Sequence, residues 1–176
     1  ASRAAPHNVY TSIAQLSESL SEFEWQLPGY KNWLFKNDAP LEISPLSLVI
    51  DWGQGELYDV SWTYQPDSNQ YLRMQDDNIV ITQDGDHVFA NNVVVMATDI
   101  TVIDNVGRRR ITTVGEGDAL IVQDGRIVLG RWKKPTRTER LRFYDAAGAE
   151  IQMNAGKTWI EVVPALDRAE TVTLLP

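Results

Sequence analysis

The sequence predicts a mainly β protein of the α+β class, an antiparallel barrel or sandwich with one N-terminal amphipathic helix packed on it. The first observation behind this is the stretch 119–163, where runs of apolar β-formers are each closed by a turn dipeptide. Asp124-Gly125 separates 119–123 from 126–129, and Ala147-Gly148 separates 141–144 from 150–153. Asp-Gly between two such runs predicts a hairpin, because both central residues of a type I′ turn need a positive φ. The second observation is Val93-Val94-Val95-Met96-Ala97, apolar at every position, which predicts a strand covered on both faces. The third is that apolar residues fall at helical spacing in a single stretch, at Ile13, Leu16, Leu20, Phe23 and Leu27.

Taken in order, Thr11 or Ser12 is placed to cap a helix over about 12–25 by accepting the free N–H groups of its first turn. Ser17, Glu18, Ser21 and Glu22 form its polar face, and Leu27-Pro28-Gly29 ends it, because proline disfavours helix in the residue before it. Residues 30–44 hold Tyr30, Trp33, Leu34 and Phe35 without periodicity and read as a connector that packs its aromatics on the core. Strands are expected at 46–52, 57–64 and 71–74, separated by Gly53-Gln54-Gly55 and Pro66-Asp67-Ser68-Asn69. Residues 75–92 are polar around Ile79-Val80-Ile81, and the apolar strand from Val93 is expected to run on to about Val102. A loop at 104–110 precedes Ile111-Thr112-Thr113-Val114, and Gly115-Glu116-Gly117-Asp118 is expected to turn the chain into the hairpin. Trp159–Val163 forms a further strand closed by Pro164, and Thr171–Leu174 a last edge strand.

Composition narrows the functional classes. A chain of 176 residues can bury roughly 70% of its unfolded surface and needs no covalent staple. Cysteine is absent, which excludes disulfides, Cys-ligated zinc and a thiol nucleophile. No apolar run reaches the roughly 18 residues of a membrane-spanning helix. The start at Ala1-Ser2-Arg3-Ala4-Ala5-Pro6 reads as that of a trimmed or excised piece. Net charge is -8, and it is unevenly spread. Residues 1–100 carry four basic against fourteen acidic groups, and 101–176 carry twelve against ten. Nucleic-acid binding needs a basic face to displace counterions from phosphate, and the chain as a whole argues against it.

Several phrases recur in a recognisable order: Ala5-Pro6-His7-Asn8-Val9-Tyr10-Thr11, Asn92-Val93-Val94-Val95-Met96, Gly115-Glu116-Gly117-Asp118-Ala119, Gln123-Asp124-Gly125, Gly130-Arg131-Trp132-Lys133-Lys134 and Gly156-Lys157-Thr158-Trp159-Ile160. In order and spacing they resemble the YerB-like bacterial lipoproteins, a family built on a domain of unknown function. The resemblance implies a C-terminal portion of such a protein, with a lipobox and a larger α/β region ahead of it. Residues 1–44, helix and connector, would then be the tail of a preceding N-terminal domain and contact it, and 45–176 the C-terminal β domain. It also implies an extracytoplasmic place, with the membrane reached only through a lipid anchor outside this chain. It supplies no activity, no cofactor and no catalytic residues.

The sharpest local feature is basic. Arg126, Arg131, Lys133, Lys134, Arg137, Arg140 and Arg142 fall within seventeen residues, opposed there by Glu139 alone. Strand alternation puts Arg131 and Lys133 on one face and Trp132 on the other, with Trp132 expected to be partly exposed. Arg131, Trp132, Lys133, Arg137 and Arg140 are therefore candidate ligand-binding residues for teichoic-acid phosphate, peptidoglycan carboxylate or an acidic partner, since the guanidinium fork suits planar anions. The competing reading is a solvated hairpin whose cations pair with the acidic first half. His7, Asn8 and Tyr10 form a second candidate site, with a turn-holding role as the alternative.

Other chemistry is weak. Asp76-Asp77-Asn78 and Asp84-Gly85-Asp86 suggest calcium but miss the EF-hand spacing and read as polar turns. No Gly-x-Ser-x-Gly or Ser-x-x-Lys motif is present. Gly115-Glu116-Gly117-Asp118 and Gly156-Lys157-Thr158 resemble phosphate loops only loosely, and each leads into a strand rather than a helix. Trp52, Trp62 and Trp159 are expected in the core. The function expected is a non-enzymatic accessory or binding module for an envelope protein or an anionic wall polymer. The rival is part of a wall-glycan or peptidoglycan hydrolase whose main site lies in the preceding domain.

Overall fold

The structure, a computed structural model, describes residues 11–22, 31–42, 46–53 and 55–173. The chain divides into two compact units, 1–30 and 31–176. In the first, α1 (Ile13–Glu22) starts with reciprocal capping. The Gln15 N–H donates to Ser12 Oγ at 3.3 Å, and the Ser12 N–H donates to Gln15 Oε1 at 3.0 Å. Two free donors of the first turn are satisfied at once.

Among the described residues the second unit carries fifteen strands. They are β1 (Phe35–Lys36), β2 (Leu46–Ile50), β3 (Val60–Gln65), β4 (Gln70–Gln75), β5 (Asn78–Ile79), β6 (Phe89–Ala90), β7 (Asn92–Ala97), β8 (Ile100–Val102), β9 (Arg109–Ile111), β10 (Gly115–Gln123), β11 (Arg126–Lys134), β12 (Arg142–Asp145), β13 (Met153–Asn154), β14 (Thr158–Val163) and β15 (Ala169–Thr173). One sheet runs β15-β2-β3-β4-β5, with β6 also on β4, and the other β12-β11-β10-β7-β14. Both are open, so the architecture is a sandwich and not a closed barrel.

Two apolar layers explain the packing. Leu48, Ile50, Val60, Trp62, Tyr64 and Tyr71 of the first sheet meet Val93, Val95, Val122 and Val163 of the second. On the far face of the second sheet, Val94, Met96, Ala119, Ile121, Trp132 and Phe143 pack with Met153, Trp33 and Ile151. The second sheet is thus the middle layer. This is why Val93–Ala97 of β7 is apolar at every position: its alternate side chains enter two different cores, each worth roughly 1.5–3 kcal/mol on full burial. Its neighbours are β10, antiparallel, and β14, parallel.

The hairpin at Asp124-Gly125 forms as expected, with φ of 56° and 71° and nine paired positions from Gly115↔Lys134 to Gln123↔Arg126. A second turn of this kind, Asp76-Asp77 with φ of 49° and 54°, joins β4 to β5, where the sequence reads as a polar turn.

Several expectations are corrected. Gly115–Asp118 is strand, because cross-strand pairing carries β10 beyond the apolar run. β3 begins at Val60, after a 3-10 turn at Glu56–Tyr58, and β2 stops at Ile50. The strand from β7 breaks at Ala97, and β8 turns away to pair with β9. In the connector, Phe35↔Met153 and Lys36↔Asn154 pair in parallel, and the Trp33 indole N–H donates to the Leu141 carbonyl at 2.6 Å. α1 is described to Glu22, and positions 23–25 of the expected helix lie outside the described residues.

Candidate functional site

The β10–β11 register decides where the candidate residues go. Asp118 lies opposite Arg131, and Glu116 opposite Lys133. Directly opposed side chains share a face, so four charges of alternating sign stand together on exposed strand surface. Arg131 Nη1 is 3.0 Å from Asp118 Oδ1, its Nη2 is 3.8 Å from Glu116 Oε1, and Lys133 Nζ is 3.7 Å from Glu116 Oε2.

Trp132 points to the other face and is only 1% exposed, against the expectation of partial exposure. Its indole N–H donates to the Ala97 carbonyl at 2.7 Å while the ring lies over Gly117. A Cβ at Gly117 would fall 2.6 Å from Trp132 Nε1 and 2.8 Å from the Ala97 oxygen, so glycine is required there. Trp159, expected in the core, is 38% exposed, because β14 is an edge strand and this residue stands near its start.

Glu116 and Asp118 of the charge lattice are also among the residues that line a cavity of about 360 Å³. It opens where the parallel strands β7 and β14 end, between Ala97-Thr98-Asp99, Gly115–Asp118 and Pro164-Ala165-Leu166, with Trp132 in its wall. Asp99, Glu116 and Asp118 make the lining acidic, and the basic partners of the last two stand beside it. The Thr98 hydroxyl donates to the Thr112 carbonyl at 2.7 Å, closing one side. Such a site can take an ammonium or hydroxyl group against its carboxylates and a carboxylate or phosphate against Arg131 and Lys133.

The remaining cations do not join them. Lys134 Nζ donates to the carbonyls of Arg137 and Glu139 within its own loop. The Arg140 guanidinium lies 4.5 Å from the centroid of the Trp33 ring. Arg142 pairs with Glu150 and reaches the carbonyls of Lys31 and Asn32, and Arg126 donates to the Ala39 carbonyl. Arg137 is exposed, with no acidic partner among the described residues. Among the described residues the acidic partners of this cluster are Glu116, Asp118 and Glu150, all outside the acidic first half. His7, Asn8 and Tyr10 lie outside the described residues.

Two further acids, Asp124 and Glu161, are buried. Asp124 Oδ1 accepts from Asn69 at 2.8 Å and Asn154 at 2.7 Å, and Oδ2 accepts from Lys36. Burial alone would raise its pKa, but the hydrogen bonds from Lys36, Asn69 and Asn154 outweigh it and hold the carboxyl below the usual range. Glu161 sits between the sheets, where burial pushes its pKa up against the Trp62 hydrogen bond and the nearby Arg73 charge. The Trp62 indole donates to Glu161 at 3.1 Å, and Arg73 lies 5.1 Å from the Trp159 ring centroid. Glu161 does not line the cavity at the end of its own strand.

With this geometry in place, residues 48–160 match the family described as "Protein of unknown function (DUF3048) C-terminal domain". The chain belongs to that family. It is 29% identical over 170 residues to the Bacillus subtilis (strain 168) protein named "Putative lipoprotein YerB", a match covering 93% of this chain and 50% of that protein. It is also similar to the crystal structure of the YerB protein from Bacillus subtilis, with a TM-score of 0.77 at 26% identity over 97% of this chain and 57% of the other. The chain therefore spans about half the length of these relatives. Family membership agrees with the resemblance carried by the phrases at 92–96, 115–119 and 130–134, and it brings no assigned activity.

Proposed function

We propose that this domain is a non-enzymatic binding module of a membrane-anchored envelope lipoprotein, and that its ligand is a cell-wall polymer bearing groups of both charge signs. The anchored, extracytoplasmic setting rests on the name of the Bacillus relative. The ligand class rests on one observation, the cavity at the ends of β7 and β14 with Glu116, Asp118, Arg131 and Lys133 beside it. A volume of about 360 Å³ suits one sugar or short peptide unit rather than a long segment. The carboxyl that burial raises, Glu161, stands apart from this cavity, which favours binding over acid–base chemistry.

Calorimetric titration with peptidoglycan fragments and with teichoic acid tests this. Saturable binding by the parent chain, weakened at least tenfold by Arg131→Ala and by Glu116→Ala but not by Arg137→Ala, is expected. Unchanged binding in the first two variants, or no binding of either polymer, removes the proposal.

A further inference from the structure

The hairpin of β8 and β9 stands apart from both large sheets as its own two-stranded sheet. It is rooted beside the cavity, where the Thr112 N–H donates to the Asp99 carbonyl at 3.0 Å. Its tip is well built. Asp104 Oδ1 accepts the N–H groups of Val106 and Arg108 at 3.0 and 3.1 Å, the Arg108 side chain pairs with the same carboxylate, and the Ile103 N–H donates to the Arg108 carbonyl at 2.8 Å. A tip fixed in this way nevertheless holds apolar side chains in water: Val106 is 81% exposed, Val102 63% and Ile103 50%. Three exposed apolar side chains gathered at one tip make it a candidate interaction site.

The charge around it is the opposite of the chain's. In a protein of net charge -8, Arg108, Arg109 and Arg110 follow one another directly. Strand alternation sends Arg109 to one face of the hairpin and its two neighbours to the other. Arg109 and Arg110 have no acidic partner among the described residues. A guanidinium collar behind an apolar tip matches the boundary between phosphate headgroups and acyl chains. A folded acidic protein fits less well, because a stable protein interface needs about 800 Å² from each side. A narrow convex tip does not present that area.

We infer that the β8–β9 hairpin docks on an anionic phospholipid surface, with Val102, Ile103 and Val106 entering the headgroup region and Arg109 and Arg110 contacting lipid phosphates. This contact is separate from any lipid anchor and does not depend on what the cavity holds.

Vesicle flotation of the full chain tests it, with phosphatidylcholine vesicles as one arm and vesicles containing phosphatidylglycerol as the other. Binding to the anionic vesicles alone, weakening as salt rises, is expected. Each arginine near such a surface contributes roughly fivefold to partitioning, so Arg109→Gln with Arg110→Gln lowers it at least tenfold. Val106→Asp does the same, while Arg137→Gln leaves it unchanged. Because the chain has no cysteine, Val106→Cys carries a single environment-sensitive fluorophore, whose emission shifts to the blue on the anionic vesicles. No partitioning to anionic vesicles, equal binding to neutral ones, unchanged binding in the arginine pair, or a label that stays in water each overturns the inference.

Discussion

The two ends of the β10–β11 hairpin use charge in opposite ways. At the closed end, Asp124 is buried and its oxygens take donors from three segments, Lys36, Asn69 and Asn154. At the open end, Glu116, Asp118, Arg131 and Lys133 pair across the same strands in solvent. A carboxylate removed from water must keep every partner, so the closed end is fixed. Exposed pairs are worth little and exchange partners readily, so the open end can give its charges to a ligand at small cost. One ladder therefore supplies both a lock and a candidate site.

The largest effect is expected at the lock. Asp124→Ala leaves Lys36, Asn69 and Asn154 facing a carboxylate that is gone, and should lower stability by about 3 kcal/mol in urea unfolding. A loss below about 1 kcal/mol would place the closed end in the same class as the open one. Next is Gly117→Ala, where the new Cβ meets Trp132 and the Ala97 carbonyl. Overpacking of about 1–3 kcal/mol is expected, with altered tryptophan fluorescence as Trp132 shifts. Arg131→Ala and Lys133→Ala sit at the other extreme, changing stability by less than about 1 kcal/mol in the same unfolding assay.

The pH dependence separates two buried carboxyls more finely. Asp124, held low, stabilises fully above the pKa of an unfolded aspartate, and that contribution disappears as pH falls through its folded value. Glu161, held high, favours the protonated folded state, so stability falls as pH rises from the unfolded glutamate value through its folded one. Thermal melting between about pH 3 and pH 7 should show the acid slope reduced in Asp124→Asn and the slope of opposite sign reduced in Glu161→Gln. Equal slopes in parent and Glu161→Gln would mean that Glu161 is not held above the ordinary range.

What was legible in the sequence was local. Asp124-Gly125 marked the hairpin because the turn itself requires positive φ at both positions, and Val93–Met96 marked the doubly covered strand because two cores need four consecutive apolar residues. Ser12 marked the helix start through its own hydroxyl. Alternation correctly separated Trp132 from Arg131 and Lys133, yet it could not say which face was covered. That depended on Trp33, Phe143 and Met153 arriving from distant segments. The cavity was invisible for the same reason: it is assembled from 97–99, 112, 115–118, 132 and 164–166, and no short spacing records that meeting. The one available hint was the pair of glycines at 115 and 117, read as a turn although a strand needs glycine wherever a large ring lies across its backbone.

The parallel pairing of β7 with β14 has a consequence for how the chain is made. Thr158↔Asn92 through Val163↔Ala97 joins segments far apart in sequence, whereas β10–β11 closes over a two-residue turn. Loop closure of that length is slow relative to a hairpin. During synthesis, β7 and β10 can pair while β14 is still unmade, leaving Val93–Met96 with an unpaired edge that is apolar on both faces. Such an edge is a template for pairing with another copy. A nascent chain halted before Thr158 is expected to aggregate, and one extended past β15 to stay soluble, so that β14 acts as the seal on an otherwise self-associating intermediate.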